Sequence, residues 1–220
     1  MQSKSRHSIE HADAFLIWDA SAAQYHGGDQ HWFAPGGQYR REAACGATTC
    51  ANILAYFART RPELSGLAPK GADLSTRQGF LQHMKAVYPS LRPGLLGLMP
   101  DGFREGAVGY AGKRGIGLRL ETVTVPAMRG RRQGFAELAR FLSDALGQDL
   151  PVAFLNLSNG GVHNLDSYHW VTLTALDEGT GEAQIVDNGR HLPIALSTWL
   201  KKTTMGGAFV VLHPSLQRSI

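Results

Sequence analysis

The 220-residue sequence lacks the features by which secreted and membrane proteins are recognised. It has only two cysteines, Cys45 and Cys50, and at this spacing on one helix their side chains diverge too far for a disulfide. A free-cysteine content of this kind is typical of a reducing compartment. The first ten residues hold no apolar run that would indicate a secretory signal, and no apolar stretch reaches bilayer-spanning length. The sequence therefore predicts a cytoplasmic protein without a membrane segment.

Charge is also limited, since charged residues make up 18% of the chain and the formal net charge is +4. The basic residues are spread out except at 129–132, Arg-Gly-Arg-Arg, which we interpret as a solvated loop, with nucleic acid or an acidic partner as the lesser alternative. The glycine-rich loop 27–38 lacks the lysine and spacing of a phosphate-binding loop. Neither nucleic acid nor nucleotide binding is therefore expected.

The most informative stretch is 43–59, Ala-Ala-Cys-Gly-Ala-Thr-Thr-Cys-Ala-Asn-Ile-Leu-Ala-Tyr-Phe-Ala-Arg, which predicts a helix with one apolar stripe. Cys45 lies at its start, where unpaired backbone N–H groups and the helix dipole favour the thiolate. Small neighbours, including Gly46, leave the sulfur accessible to a carbonyl group. Cys50 lies inside the stripe and is interpreted as a small buried hydrophobic residue. The position of Cys45 indicates a nucleophile, with a second buried helix cysteine as the alternative.

The rest of the chain reads as helices followed by strands. We predict a capped helix that begins after Thr76 and ends before Pro89, further helices at 103–114 and 135–146, and strands at 117–125, 151–157, 168–176, 183–188 and 207–213. This order predicts an α+β fold with an antiparallel sheet. Residues 1–37 are expected to form an N-terminal arm or loop. Residues 38–213 are expected to form one domain, with a helical lobe at about 38–147 and a sheet lobe at about 150–213.

A histidine and an aspartate fall on neighbouring predicted strands. His169 opens the first strand and shares a face with Val171. Matching the apolar faces of the two strands places Asp187 on the His169 side, within reach of the imidazole because strands lie about 4.8 Å apart. A symmetrical turn would instead place Asn188 there, since a slip of one residue exchanges the faces. We prefer Asp187 as the residue that orients His169, and keep Asn188 as the alternative.

Other polar candidates are weaker. Gln38 precedes Cys45 by seven positions, and its amide could stabilise an oxyanion. His163 and Asp166 lie in the loop before His169 and could contact a substrate, although solvated loop residues are the simpler interpretation. A zinc site is disfavoured because the cysteines lack zinc-ligand spacing. The remaining histidines that we considered show no pattern: His11, His26, His31, His191 and His213.

The order of these residues resembles that of papain-like cysteine peptidases, most closely the bacterial C39-like group. The resemblance rests on Gln38, on Cys45-Gly46 opening a helix, on 169–171, His-Trp-Val, opening a strand, and on 185–189, Ile-Val-Asp-Asn-Gly. It implies a papain-like fold in which the Cys-bearing central helix packs on a C-terminal antiparallel sheet. It also implies that Gln38 forms the oxyanion hole and that Cys45, His169 and Asp187 form the triad.

The expected function is therefore a cysteine hydrolase, a peptidase or amidase that acts through a thioester and needs neither a metal nor an organic cofactor. Its expected partner is a peptide or amide substrate, and no membrane is involved. Two alternatives stay open. The same triad could transfer an acyl group to an amine, as in transglutaminase-like enzymes, or the chain could be a catalytically silent binding module of the same fold.

Overall fold

A strongly connected antiparallel sheet forms the frame of the computed structural model, which describes residues 6–33, 43–94 and 97–216. Six strands pair in the order β4-β9-β5-β6-β7-β8, and β1 pairs with the end of β6 that β5 leaves free. The strands that make up this sheet are β1 (Arg6–Ser8), β4 (Ile116–Val125), β5 (Val152–Asn156), β6 (His169–Asp177), β7 (Glu182–Asp187), β8 (Arg190–Ile194) and β9 (Gly207–Leu216). A separate hairpin joins β2 (Leu16–Trp18) to β3 (Gln24–His26). The predicted α+β class with an antiparallel sheet is confirmed.

The described residues contain five α-helices, which pack against the sheet or against one another: α1 (Cys45–Thr60), α2 (Arg77–Leu91), α3 (Pro100–Gly112), α4 (Phe135–Gly147) and α5 (Leu196–Lys202). α1 packs against β5 and β6 and is covered by α2 and α3, so every residue from Cys45 to Phe57 is buried. A helix that is covered on all sides differs from the single apolar stripe that the sequence predicts. Across the described ranges, the model contains no helix with the length and apolar character needed to cross a bilayer.

Two predicted helix boundaries differ from the structure. α2 begins as predicted, with the Thr76 side chain accepting a hydrogen bond from the backbone N–H of Gly79, but it continues through Pro89 to Leu91. Pro89 lies in the last turn, so the hydrogen bond and the carbonyl contact that proline disturbs are confined to the end of the helix. α3 begins at Pro100, earlier than predicted, since proline suits the first helical position.

Part of the predicted helical lobe contributes to the sheet, and part of the predicted N-terminal arm contributes to the core. β4 lies within the segment that was expected to be a helical lobe, yet it pairs with β9 along its whole length. Within 6–33, part of the expected N-terminal arm, Ile9, Phe15 and Ile17 are buried in the common hydrophobic core. Apolar burial of this kind ties the N-terminal residues to the body of the protein.

Two helical glycines provide a matched test of this packing. A Cβ atom at Gly79 in α2 would lie 2.1 Å from the backbone oxygen of Asp73, whereas a Cβ at Gly109 in α3 would meet nothing within 4 Å. We expect Gly79→Ala to lower the free energy of unfolding by about 2 kcal/mol or more through overpacking. Gly109→Ala should raise it by about 0.5–1 kcal/mol because alanine favours a helix. Urea denaturation of both variants measures the difference, and equal effects would contradict the packing described here.

Candidate active site

Cys45 is the first residue of α1, and its residue surface is only 6% exposed. The adjacent Gly46 is needed for close approach, because a Cβ there would lie 2.8 Å from Cδ2 of Leu98 and 3.1 Å from Cδ1 of Trp170. Trp170 is itself fixed, since its indole N–H donates to the backbone oxygen of Leu98 at 2.7 Å and its ring stacks on Phe103. The start of α1 is therefore seated directly against the start of β6.

A β-bulge between β6 and β7 decides which residue faces His169. Near the hairpin turn Ala175 pairs with Gln184, but Leu173 pairs with Ile185, so Thr174 is the extra residue. Without the bulge, Thr172 would lie opposite Asp187, and Asp187 would be on the face away from His169. The bulge shifts the register by one residue and places Asp187 on the face of His169, as the matching of apolar faces predicts.

The turn after Asp187 holds this arrangement from the other side. Asp187 pairs with Arg190, so β7 and β8 are joined by the two residues Asn188 and Gly189, which both have positive φ, as a type I′ turn requires. The Asn188 side chain accepts a hydrogen bond from the backbone N–H of Gln30 at 3.4 Å. The structure thus gives Asn188 a role in the turn. The sequence analysis missed β8, although Asn-Gly is a strong hairpin signal.

The N-terminal segment also fastens this turn. The backbone N–H of His26 donates to the oxygen of Gly189 at 2.8 Å, and the N–H of Gly189 donates to the oxygen of Gly28 at 3.2 Å. The His26 ring stacks on that of His191 in β8, with centroids 5.5 Å apart. Residues far apart in sequence are brought together here, which is why the spacing of the histidines showed no pattern.

His169 lies between a carboxylate and a thiol. Its Nε2 is 2.7 Å from Oδ1 of Asp187, and both residues are only 7% exposed. This contact occupies Nε2, and the Cys45 side chain also interacts with the imidazole. Burial by itself lowers the pKa of His169, but the hydrogen bonds with Asp187 and Cys45 and the negative charges of both groups outweigh it and raise the pKa to about 10. The imidazole is therefore held in its protonated form at neutral pH.

Asn156 supports His169 from the neighbouring strand. It lies opposite His169 in β5–β6, is fully buried, and accepts a 2.7 Å hydrogen bond from the indole N–H of Trp199. Its side-chain amide donates to the backbone oxygen of Asp166 in the loop that leads to β6. Sequence reasoning missed this residue, and the available signal was a lone amide in the apolar run 151–157. A buried amide with every contact satisfied fixes the strand ends around it.

The other predicted site residues take separate places. His163 and Asp166 are exposed loop residues. Gln38 lies outside the described residues, so its predicted oxyanion role stays a prediction. Cys50 is completely buried, and burial raises the pKa of its thiol. The two cysteines of α1 thus have different environments: Cys45 interacts with His169, whereas Cys50 is completely enclosed.

Within the described ranges, one group of side chains has the proximity needed for a metal ion: Glu10, His11 and Asp149. Asp149 already accepts hydrogen bonds from the backbone N–H of Glu10 and from the hydroxyl of Tyr56, and Arg61 lies 3.9 Å from its second oxygen. These contacts use the carboxylate to join the N-terminal segment to α1. The group contains none of the predicted catalytic residues.

The position of the carboxylate can be tested with two separate variants, one that removes it at residue 187 and one that adds a carboxylate at residue 188. Asp187→Asn removes the charge beside Nε2, so the pKa of His169 should fall by about one unit or more. The ion pair stabilises the protonated form, and its loss therefore brings deprotonation to lower pH. Asn188→Asp should change that pKa far less, because residue 188 lies in the turn. NMR titration of His169 in both variants gives the answer, and equal shifts would contradict the register described above.

Comparison with known proteins gives little similarity. No protein-family model matches the sequence, and no curated protein matches it. Among solved structures, the chain is similar to the crystal structure of the Pseudomonas avirulence protein AvrPphB, with a TM-score of 0.37 and 17% sequence identity. The similarity covers 79% of this chain and 92% of that chain. The chemistry of the site must therefore be derived from the contacts of its own side chains.

Proposed function

We propose that the chain is a papain-like cysteine hydrolase, a peptidase or amidase, with Cys45 as nucleophile, His169 as acid and base, and Asp187 as the residue that orients His169. One observation carries the proposal: the buried imidazole of His169 lies 2.7 Å from the buried carboxylate of Asp187, and the Cys45 side chain at the start of α1 also acts on this ring. This is the arrangement that activates a cysteine nucleophile.

The burial of these groups supports a functional interpretation. Cys45, His169 and Asp187 are each 6–7% exposed, and burying a charged pair costs free energy unless hydrogen bonds compensate for it. A well-packed apolar cluster of similar volume would stabilise the fold as well or better. Perturbed, buried titratable groups of this kind are concentrated at functional sites. Their retention at the junction of α1 and the sheet favours catalysis over a structural role.

The proposed reaction follows from these contacts. The Cys45 thiolate attacks the carbonyl carbon of an amide, and an S–C bond forms while the carbonyl becomes an oxyanion. The C–N bond then breaks as His169 transfers its proton to the departing amine, which leaves a thioester on Cys45. His169 next takes a proton from water, whose oxygen attacks the thioester. The C–S bond breaks, a carboxylic acid is released, and the thiolate–imidazolium pair is restored.

The oxyanion needs hydrogen-bond donors near Cys45. The first N–H groups of an α-helix have no intrahelical partner, so the backbone at the start of α1 supplies donors together with the positive end of the helix dipole. We assign the second donor to the side-chain amide of Gln38, as the family resemblance implies. Preorganised donors of this type contribute about 2.7–4 kcal/mol to transition-state stabilisation.

The C39-like group is our proposal for the subgroup. It is supported by the order of the motifs along the chain, in which Gln38 and Cys45 come first and His169 and Asp187 follow on the adjacent strands β6 and β7. The type I′ turn directly after Asp187 gives a physical reason for the Asp-Asn-Gly sequence at 187–189.

Alkylation at mildly acidic pH tests the nucleophile. At pH 5.5 an ordinary thiol with a pKa of about 8.5 is roughly 0.1% thiolate, so it reacts slowly. We expect brief iodoacetamide treatment to label the wild type once, at Cys45, and to leave the buried Cys50 unlabelled. His169→Ala should slow labelling about 100-fold or more, because the imidazolium partner is lost. Intact mass and peptide mapping identify the site and extent of labelling.

His163→Ala is the matched control, since it removes an exposed histidine from the loop that precedes His169. Its labelling rate should equal that of the wild type. Slow labelling of Cys45 in all three proteins would exclude an activated nucleophile and would favour a binding module with this fold.

A further inference from the structure

Two apolar side chains are exposed beside the candidate active site. Tyr168 directly precedes His169 and is 63% exposed, and Met205 is 41% exposed. The Tyr168 hydroxyl lies 3.0 Å from the sulfur of Met205, to which it donates a hydrogen bond. These two residues are referred to below as the Tyr168–Met205 patch. Exposed aromatic and methionine side chains in contact are characteristic of binding surfaces.

The strand register places this patch at the end of the sheet that carries His169. Asn156 lies opposite His169 in β5–β6 and opposite Gly207 in β5–β9, so the three residues form a row across the sheet. β6 begins directly after Tyr168, and β9 begins at Gly207, two residues after Met205. Both patch residues therefore lie at the end of the sheet that carries His169, and Tyr168 adjoins His169 along the chain.

The backbone at Tyr168 is unusual. Its φ is 54°, and a bulky side chain in this left-handed region is a genuine outlier that the surrounding structure must hold in place. Asparagine or glycine would adopt this conformation with less strain. The chain thus keeps an exposed tyrosine at a position where its backbone is unfavourable, which argues that the side chain itself has a role.

The segment that carries Met205 is fixed by a dense set of hydrogen bonds. The Ser158 hydroxyl accepts from the backbone N–H of Thr204 at 2.7 Å and from that of Met205 at 3.3 Å. The Thr203 hydroxyl accepts from the N–H of Gly206 at 3.1 Å and contacts the Ser158 hydroxyl at 2.9 Å. Met205 is therefore presented to solvent from a rigid support, and preorganisation of this kind lowers the entropy lost on binding.

We propose that the Tyr168–Met205 patch binds the side chain of the substrate residue on the leaving-group side of the scissile bond, and that this side chain is large and apolar. The inference rests on the proposed hydrolase. His169 must give its proton to the departing nitrogen, so the residue that begins with this nitrogen lies against His169 and its neighbours. A thioether and an aromatic ring favour an apolar or aromatic partner.

NMR titration of the Cys45→Ala protein with [13C-methyl]methionine labelling tests the patch without requiring turnover. The probes are the dipeptide amides phenylalanyl-glycinamide and seryl-glycinamide, which mimic leaving groups with an apolar and a polar first residue. We expect a saturable shift of the Met205 methyl signal with the first probe. The Kd for the second probe should be at least about tenfold higher. Met128, which is 60% exposed, is the internal control and should not shift.

Tyr168→Asn in the same background completes the test. This variant should bind phenylalanyl-glycinamide at least about fivefold more weakly, while its Tm stays equal to or above that of the parent because the strain at residue 168 is relieved. Tyr168→Gly should behave in the same way. Unchanged affinity in these variants, or equal shifts at Met128 and Met205, would overturn the proposal. The iodoacetamide experiment reports on Cys45 separately, so failure of the patch and failure of the nucleophile are distinguishable.

Discussion

The hydrogen bond between His169 and Asp187 is the interaction on which the candidate site depends. It joins two adjacent strands, and the alternation of side chains along a strand means that a one-residue change of register would abolish it. The bulge at Thr174, which lies opposite the middle of β7, and the turn at Asn188 and Gly189, which follows β7, fix that register. The site is thus a consequence of strand pairing, and the N-terminal segment that bonds to the turn belongs to the same support.

Helix α1 brings the thiol to this pair by close packing. Gly46 has no room for a Cβ against Leu98 and Trp170, and Trp170 follows His169 directly in β6. The same contact therefore seats the start of α1 and positions the strand that carries the histidine. Close-packed interiors transmit small displacements. The separation of Cys45 and His169 therefore depends on the packing of the residues around them as well as on their own contacts. Because α1 is buried from Cys45 to Phe57, the position of Cys45 relative to the sheet is restricted.

The region around His169 combines a buried reactive group with an exposed apolar surface. His169 and Asp187 are almost fully covered, whereas Tyr168, one residue before His169, is largely exposed. The left-handed backbone at Tyr168 turns the chain at this point and allows consecutive side chains to meet such different environments. Asn156 anchors the row beneath them through hydrogen bonds to Trp199 and to the loop before β6. Burial protects the charged pair from water, and exposure leaves the patch available to a ligand.

Elements whose signals are local could be predicted from the amino-acid sequence. The periodicity of 43–59 and 135–146, the Thr76 cap and the alternation of the later strands predicted most helices and strands and the α+β class. Cys45 at a helix start and His169 at a strand start were evident from position alone. Local patterns suffice here because capping and side-chain periodicity act over a few residues.

Features that depend on pairing between distant segments are visible only in the three-dimensional fold. The matching of apolar faces favoured Asp187 over Asn188, but the register that distinguishes them depends on a bulge at Thr174, whose extra residue leaves no periodic signal. The contribution of residues 6–33 to the core, the place of β4 beside β9, and the contact of Tyr168 with Met205 are also long-range. Strand register and packing depend on contacts between segments that are distant in the sequence. The side chains of the candidate site are therefore brought together only when the chain folds.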